Sequence, residues 1–381
     1  MRDHGGNLDQ AMAVFGTGDW IDLCTGINRR PWPLPLLDPD CWRSLPTRAS
    51  QAGLVAQAAR AWGASDQAAG IALAGAQAAI QLMPLLRPAG RAAVLGPTYN
   101  EHAACLSQAG WDVANVSTPE ALHSASLAVV VNPNKPDGRR HTPHDLLTLS
   151  RKVGFLVVDE SFGDISPGLS LLPRAGQDNL LILRSFGKFY GLAGLRLGFA
   201  FGADSDIAAL ARMAGPWAVS GPAIEIGRQA ISDTGWADAM RAQLALDAGR
   251  ADDLARVAGW KIAGAQRCSV FMRRPTQKPR STGWRATGSG AGSSPGRAAC
   301  FGWACRDLSR SGTAFRRTCG PNVPTPAGPA RPNGFPDGRL AGQASPRPRR
   351  CGCDRRRRSP DPQETPRESH PTGTCRADRC H

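Results

Sequence analysis

The chain has 381 residues, 41% of them hydrophobic and 20% charged, and its formal net charge is +15 at pH 7. This length suits one large α/β domain with a smaller companion, and no apolar run reaches the roughly 18 residues that a membrane span needs. The polar start lacks the apolar core of a signal peptide, and the three cysteines before residue 268 are scattered. We therefore predict a cytoplasmic enzyme rather than a disulfide-stabilised secreted domain.

The excess positive charge is confined to the C-terminal part of the chain. Residues 268–381 carry 22 Lys and Arg against 7 Asp and Glu, whereas residues 1–267 carry 24 of each. Net charge therefore gives no reason to predict that the first 267 residues bind nucleic acid.

The first 47 residues predict an ordered arm. An HGGN motif spans residues 4–7, a short strand-like run spans 21–24, and prolines at positions 31, 33 and 35 favour an extended connection. On the residues alone, the HGGN motif favours a flexible start.

Short apolar runs alternate with helical stretches from residue 48 onward. The Ala-rich stretch 48–63 predicts a helix, and further helices are predicted over 204–214 and up to about residue 257. Residues 71–80 predict a strand, a glycine turn and a helix start. Further strands are predicted at 91–95, 128–131, 155–159 (the fourth), 181–183 and 199–202, with a strand of a smaller domain beginning at 259–262.

One segment, LLILRSFGKFYGLAGLRLG, combines a buried strand, a tight turn and a glycine-rich run. Lys188 stands in the turn, with Ser185 three residues before it and Arg196 eight residues after it. An amine can condense with an aldehyde, while a hydroxyl and a guanidinium can hold a phosphate dianion, so this set suits pyridoxal phosphate. The alternative is a surface lysine beside a glycine-rich loop.

The spacing of these three residues resembles the lysine segment of the class I/II aminotransferase superfamily. The resemblance implies an aspartate-aminotransferase-like fold of type I, a mostly parallel sheet with helices on both faces, and a homodimer. It also implies pyridoxal 5′-phosphate as the cofactor, with Lys188 as the catalytic residue and Ser185 and Arg196 at the cofactor phosphate.

Two upstream motifs extend the resemblance. Ala76 and Gln77 open the helix after the glycine turn, where backbone N–H groups and the helix dipole attract a phosphate. Tyr99, in GPTYNEH, corresponds to an aromatic residue that stacks on the cofactor ring. A tyrosine packed in the core is the alternative for Tyr99.

Two further strand ends complete the predicted cofactor site. The NPNKPDG turn resembles a family motif whose second asparagine binds the cofactor phenolate, but Lys135 stands at that position, so we divide the role between Asn134 and Lys135. Asp159 ends the 155–159 strand, where its carboxylate can pair with the pyridine nitrogen; capping the next helix is the alternative. Phe162 stands where many aminotransferases have a tyrosine.

The HGGN start and Phe162 resemble the branch of the superfamily that decarboxylates L-threonine O-3-phosphate to (R)-1-amino-2-propanol O-2-phosphate in cobalamin biosynthesis. The resemblance implies that His4, with Asn7 or Asn28, contacts this small phosphorylated substrate. A histidinol-phosphate-like aminotransferase shares the cofactor apparatus and is the alternative. A remote alternative is an inactive scaffold whose basic tail binds nucleic acid.

From about residue 268 the composition changes to Arg, Pro, Gly and Ser, with nine Val, Leu, Ile, Met or Phe in 114 residues. We expect no helix or strand there, and disorder. A nucleic-acid-binding arm is one interpretation, and the cysteines match no strong zinc spacing, so no metal is predicted. We favour a frameshift near codon 268. No arginine after that point is assigned to the substrate carboxylate.

The sequence thus predicts four segments. They are a substrate arm at 1–47, a large cofactor-binding domain at 48–225, the start of a small domain at 226–267, and an aberrant basic tail at 268–381.

Overall fold

The computed structural model describes residues 8–15, 25–259, 261–266, 269–273 and 298–302. The described strands are β1 (Ala69–Leu73), β2 (Arg91–Leu95), β3 (Asp112–Val116), β4 (Leu127–Val131), β5 (Leu156–Asp159), β6 (Leu180–Ser185), β7 (Gly198–Gly202), β8 (Lys261–Gln266), β9 (Ser269–Arg273) and β10 (Ala298–Gly302).

The α-helices are likewise described over these residues. They are α1 (Leu8–Phe15), α2 (Asp40–Arg43), α3 (Arg48–Trp62), α4 (Ala76–Leu82), α5 (Glu101–Gln108), α6 (Pro143–Ser150), α7 (Phe186–Phe189), α8 (Asp204–Ala214), α9 (Gly221–Ser232) and α10 (Thr234–Val257). None of the helices described is long and apolar enough to cross a membrane.

The main sheet has seven strands in the order β1-β7-β6-β5-β4-β2-β3. Strands β6, β5, β4, β2 and β3 run parallel, and β7 is antiparallel to both of its neighbours. The predicted mostly parallel sheet is therefore confirmed. β1 runs in the direction of β6, because two antiparallel pairings separate them.

Apolar residues cover both faces of the central strands. Along β5, Val157 and Val158 belong to two different buried clusters, and Val129 and Val130 of β4 divide in the same way. Alternate side chains of a strand point to opposite faces, so both faces are packed against other elements. This packing explains why the central strands are continuous apolar runs.

Side-chain and glycine caps fix the ends of two helices, α3, which the sequence predicted, and α6, which it did not. The Thr47 side chain accepts a hydrogen bond from the Ser50 N–H at the start of α3, and Gly63 ends that helix with a left-handed φ of 64°. At α6, Thr142 and Asp145 bond each other's backbone N–H in a capping box.

The strand prediction needs two corrections in this sheet. The prediction missed β3, so the strand that ends at Asp159 is the fifth in chain order, not the fourth. β3 forms the sheet edge and buries none of its residues fully, so its apolar pattern is weak. The predicted turn around Lys188 is the one-turn helix α7, and Ser185 is the last residue of β6.

A second sheet, in the order β10-β9-β8, contradicts the expectation that no strand follows residue 268. β9 pairs antiparallel with both β8 and β10. Three of the nine large apolar residues of the tail fall together in β9, at positions 270–272. Average composition concealed this local run, whose β-branched and aromatic residues suit a strand. The four predicted segments stay predictions.

Candidate functional site

Five chain segments meet at one edge of the main sheet, the edge at which the parallel strands have their carboxyl ends. Val131 of β4 pairs with Asp159 of β5, so these parallel strands end side by side. Gly198 pairs with Leu73 on one side and with Ser185 on the other, which brings the ends of β1 and β6 to the same row. In open α/β sheets, ligands bind outside the carboxyl ends of the strands.

Arg196 lies directly over the glycine turn that follows β1. Its Nη2 is 3.5 Å from the Ala74 carbonyl oxygen, and a Cβ added to Gly75 would stand 2.7 Å from the same nitrogen. Gly75 itself has a φ of 80°, which an L side chain rarely adopts. A glycine is therefore required here for the guanidinium to approach the backbone.

The backbone at the start of α4 is approached just as closely from β7. A Cβ on Gly198 would collide with the Ala76 backbone nitrogen. Gly75 precedes α4 and offers no side-chain cap. Ser185 pairs with Gly198 in the sheet, so Ala76, Ser185 and Arg196 all lie beside the Gly75 turn, and Gln77 follows Ala76. Backbone N–H groups, a hydroxyl and a guanidinium are the kinds of group that suit a phosphate, and this cluster of residues is the candidate phosphate cradle.

Lys188 is one of two residues left partly exposed at the end of β6. From Leu180 to Tyr190 every residue is buried except Ser185 and Lys188. The Lys188 Nζ donates a hydrogen bond to the Thr25 carbonyl oxygen at 3.1 Å and lies 5.8 Å from the centre of the Phe162 ring.

The connection that contains Thr25 is tied to the lysine segment by backbone hydrogen bonds. The Asn28 N–H donates to the Lys188 carbonyl oxygen at 3.0 Å, and the Trp32 N–H donates to the Tyr190 carbonyl oxygen at 2.9 Å. The Asn28 amide donates to the Phe189 carbonyl oxygen and accepts from the Arg30 N–H. Asn28 therefore holds the lysine segment in place through its side chain as well as its backbone. Of the other predicted substrate residues, His4 and Asn7 lie outside the described residues.

Asp159 is buried at the end of β5 and receives three hydrogen bonds. His102 Nε2 lies 2.8 Å from Oδ2, while the Ser161 N–H and hydroxyl donate to Oδ1 at 2.9 and 2.5 Å. Burial alone would raise the pKa of this carboxyl, but the bonds from His102 and Ser161 outweigh it, so the pKa lies below its ordinary value. Asp159 is therefore a buried carboxylate.

The geometry also assigns the His102 tautomer. His102 is fully buried, and its Nδ1 has no hydrogen-bond partner among the described residues. A proton on Nδ1 would be a buried donor without an acceptor, so the proton belongs on Nε2, where it bonds the carboxylate.

A buried ion cluster lies directly behind Asp159. Arg184 of β6 pairs with Glu160 at 3.2 Å and with Asp164 at 2.7 Å, and its guanidinium stacks 4.4 Å from the centre of the Trp62 ring. Burial raises the pKa of Glu160 although Arg184 lowers it. The Arg184 cation offsets the negative charge of both carboxyl groups, so removing it would leave buried charge without a partner. The pair with Glu160, which follows Asp159, therefore ties the end of β5 to β6.

Tyr99 stands at the rim of the same edge, with 43% of its surface exposed. Its hydroxyl donates to the Gln77 side-chain oxygen at 3.1 Å, and the Gln77 amide donates to Glu101 Oε2 at 3.3 Å. Partial burial, with the negative charges of Glu101 and Asp159, raises the pKa of Tyr99 to about 12. Tyr99 is therefore neither a core tyrosine nor a freely rotating one.

The side chains of Asn134 and Lys135, the two candidates in the NPNKPDG turn for binding the cofactor phenolate, make different contacts. The Asn134 amide donates to the Pro97 carbonyl oxygen and to Asp137, and its oxygen accepts from the Thr98 hydroxyl. Asn134 thus holds the turn itself. The side chain of Lys135 instead extends toward the connection at residues 25–26, beside Phe162.

Sequence reasoning missed three contributors: His102, Glu101 and the Thr25 carbonyl. His102 and Glu101 read as polar residues of a surface helix, yet both are buried. The one usable signal was spacing, since His102 follows Tyr99 by three residues and so lies on the same side of the helix start. A backbone carbonyl leaves no signal in the sequence.

Comparison with known proteins gives a consistent result. A family model described as aminotransferase class I and II matches residues 42–287. A threonine-phosphate decarboxylase of Pseudomonas aeruginosa is 41% identical over 282 residues, covering 72% of this chain and 83% of that enzyme. An enzyme of the same name from a Sinorhizobium species is 44% identical over 234 residues, covering 59% of this chain and 70% of the relative.

A solved structure shares the fold. The L-threonine-O-3-phosphate decarboxylase of Porphyromonas gingivalis superposes with a TM-score of 0.63 over 74% of this chain and 94% of that one. Sequence identity in the superposition is 17%, so this likeness concerns the fold alone.

Proposed function

This chain belongs to the class I and II aminotransferase family, whose members use pyridoxal phosphate, and we propose that it decarboxylates L-threonine O-3-phosphate. The product is (R)-1-amino-2-propanol O-2-phosphate, for cobalamin biosynthesis. The observation that carries the proposal is the identity of 41% over most of the length of a threonine-phosphate decarboxylase. A homodimer and a cytoplasmic location are further parts of the proposal.

The residues at the sheet edge fit the cofactor. Arg196, Ser185 and the N–H groups of Ala76 and Gln77 would hold the phosphate, because they offer a cation, a hydroxyl and backbone donors around one small space. The cradle tolerates no Cβ at Gly75, where the Arg196 guanidinium already occupies the space. Tyr99 would lie against one face of the ring.

Asp159 would bind the protonated pyridine nitrogen. When bound, pyridoxal phosphate supplies a ring that accepts the electron pair released as the bond to the carboxylate breaks. The depressed pKa of Asp159 keeps it a carboxylate, and a carboxylate holds a proton on the ring nitrogen. His102 and Ser161 fix its two oxygens and so orient it.

Lys188 would bind the cofactor aldehyde and be released when the amine of the substrate takes its place. The freed Nζ stands on the partly exposed side of α7, within reach of the Thr25 carbonyl. From this position it would deliver a proton to the substrate Cα after carbon dioxide leaves. His4, with Asn7 or Asn28, is proposed to contact the substrate phosphate. Asn28 also holds the lysine segment in place through its hydrogen bonds.

Product analysis tests the reaction. The purified chain with pyridoxal phosphate is expected to release carbon dioxide from L-threonine O-3-phosphate but not from L-threonine, and K188A is expected to be inactive. K152A, which changes an exposed lysine outside the site, is the matched control and should keep full activity. Conversion of 2-oxoglutarate to glutamate with histidinol phosphate, without release of carbon dioxide, would instead support the aminotransferase alternative.

A further inference from the structure

Lys135 is a basic side chain at the candidate site that the proposed reaction does not use. Its Cδ lies 3.5 Å from the position that a Cβ on Gly26 would take, and the edge of the Phe162 ring lies 3.3 Å from the same position. Gly26 has a φ of 66°, which favours glycine. The stem of Lys135 is therefore packed at Gly26 and is partly buried rather than extended into solvent.

The Lys188 side chain contacts Thr25, the residue that precedes Gly26 in the same connection. Its Nζ bonds the Thr25 carbonyl oxygen, and Phe162 lies beside it. Two lysines from different strand ends thus lie at consecutive residues of one connection, Lys188 at Thr25 and Lys135 at Gly26, and both lie near the Phe162 ring. Because Asn134 is fully engaged within its own turn, Lys135 is the side chain of that turn that reaches this space.

We propose that Lys135 is a second amine of the cofactor pocket and can form a covalent C=N bond with the aldehyde of pyridoxal phosphate. The Lys135 Nζ adds to the aldehyde carbon, and the carbonyl oxygen leaves as water with two hydrogens of the amine. No oxidant or reductant is needed for this step. The proposal rests on the proposed cofactor site, because an aldehyde bound at Lys188 lies beside the connection at residues 25–26, which the Lys135 side chain also reaches.

Chemical trapping tests the proposal on the full chain. The chain contains five lysines, at positions 135, 152, 188, 261 and 278. Treatment with pyridoxal phosphate and borohydride reduces any C=N bond, and peptide mass spectrometry then locates the label. In K188A we expect the label at Lys135 to exceed that at the exposed Lys152 at least tenfold. In the double variant K188A/K135M the total label should fall to the level of the exposed lysine.

Each result has a defined consequence. Equal labelling of Lys135 and Lys152 in K188A, with K188A still folded by circular dichroism, overturns the second-amine proposal. That outcome leaves the proposed function intact if Lys188 is labelled in the unmodified chain. Label at Lys135 but not at Lys188 in the unmodified chain would support the second amine and refute the proposed role of Lys188. Label at neither would refute both.

Discussion

The hydrogen bond between His102 and Asp159 gives the sharpest test of how the site is built. His102→Leu replaces the imidazole with an apolar side chain of similar volume and so removes the donor 2.8 Å from Oδ2. A hydrogen bond to a charged group contributes about 1.5–3 kcal/mol, and nothing replaces it at this buried position. At roughly 2–4 °C per kcal/mol for a domain of this size, the melting temperature of the protein without cofactor should fall by about 3–12 °C at pH 7.

The pH dependence of this difference has a definite sign. The pKa of folded Asp159 lies below its ordinary value of about 3.9, so its stabilising contribution is complete above that pH. The contribution is lost as the pH falls through the folded pKa. Removing His102 raises the folded pKa of Asp159, so the difference in stability between the two proteins should be complete at pH 7 and should shrink below about pH 4, as the pH falls through the folded pKa of the unmodified chain.

Circular dichroism melts of H102L and H102Q at pH 7.5 and at about pH 3 measure both effects. The glutamine variant keeps an N–H donor of similar reach and should lose less than half as much stability as H102L. The reasoning is refuted if H102L melts within 1 °C of the unmodified chain at pH 7.5. It is equally refuted if H102Q and H102L are indistinguishable.

Substitutions at three further positions probe other parts of the site. Gly198→Ala places a methyl group against the start of α4 and should cost about 1–3 kcal/mol; an unchanged melting temperature would contradict the collision. Arg184→Met leaves two buried carboxylates without their cation and should cost about 3–5 kcal/mol in urea unfolding. Tyr99→Phe removes the hydrogen bond to Gln77, about 1 kcal/mol, and should weaken pyridoxal phosphate binding less than threefold by fluorescence titration, whereas Tyr99→Ala should weaken it more than tenfold.

The central sheet could be predicted because its strands are apolar on both faces. β4, β5 and β6 are short apolar runs that end in, or are followed by, polar residues, and those polar residues lie at the edge of the sheet that carries the candidate site. β3 escaped prediction because an edge strand with one covered side needs few apolar residues. β9 was not predicted because its three apolar residues were counted within residues 268–381, whose mean apolar content is low.

The proposed site likewise has parts that could be predicted from the sequence and parts that could not. The residues at strand ends, such as Asp159 and Lys188, are visible in sequence because each follows an apolar run. The contacts that orient them are not visible, because they join residues 57 and 163 positions apart, through His102 in one case and a backbone carbonyl in the other. Whether Lys135 or Asn134 faces the site depended on side-chain directions within a turn, which sequence spacing does not determine.

The bond from Lys188 to the Thr25 carbonyl means that the Lys188 amine is oriented by a segment that lies 163 residues earlier in the chain. A protein beginning after residue 32 would retain every strand of the main sheet, yet its lysine helix would lose the backbone partners at Thr25, Asn28 and Trp32. The start site chosen for expression therefore decides whether the Lys188 amine keeps the contacts that orient it.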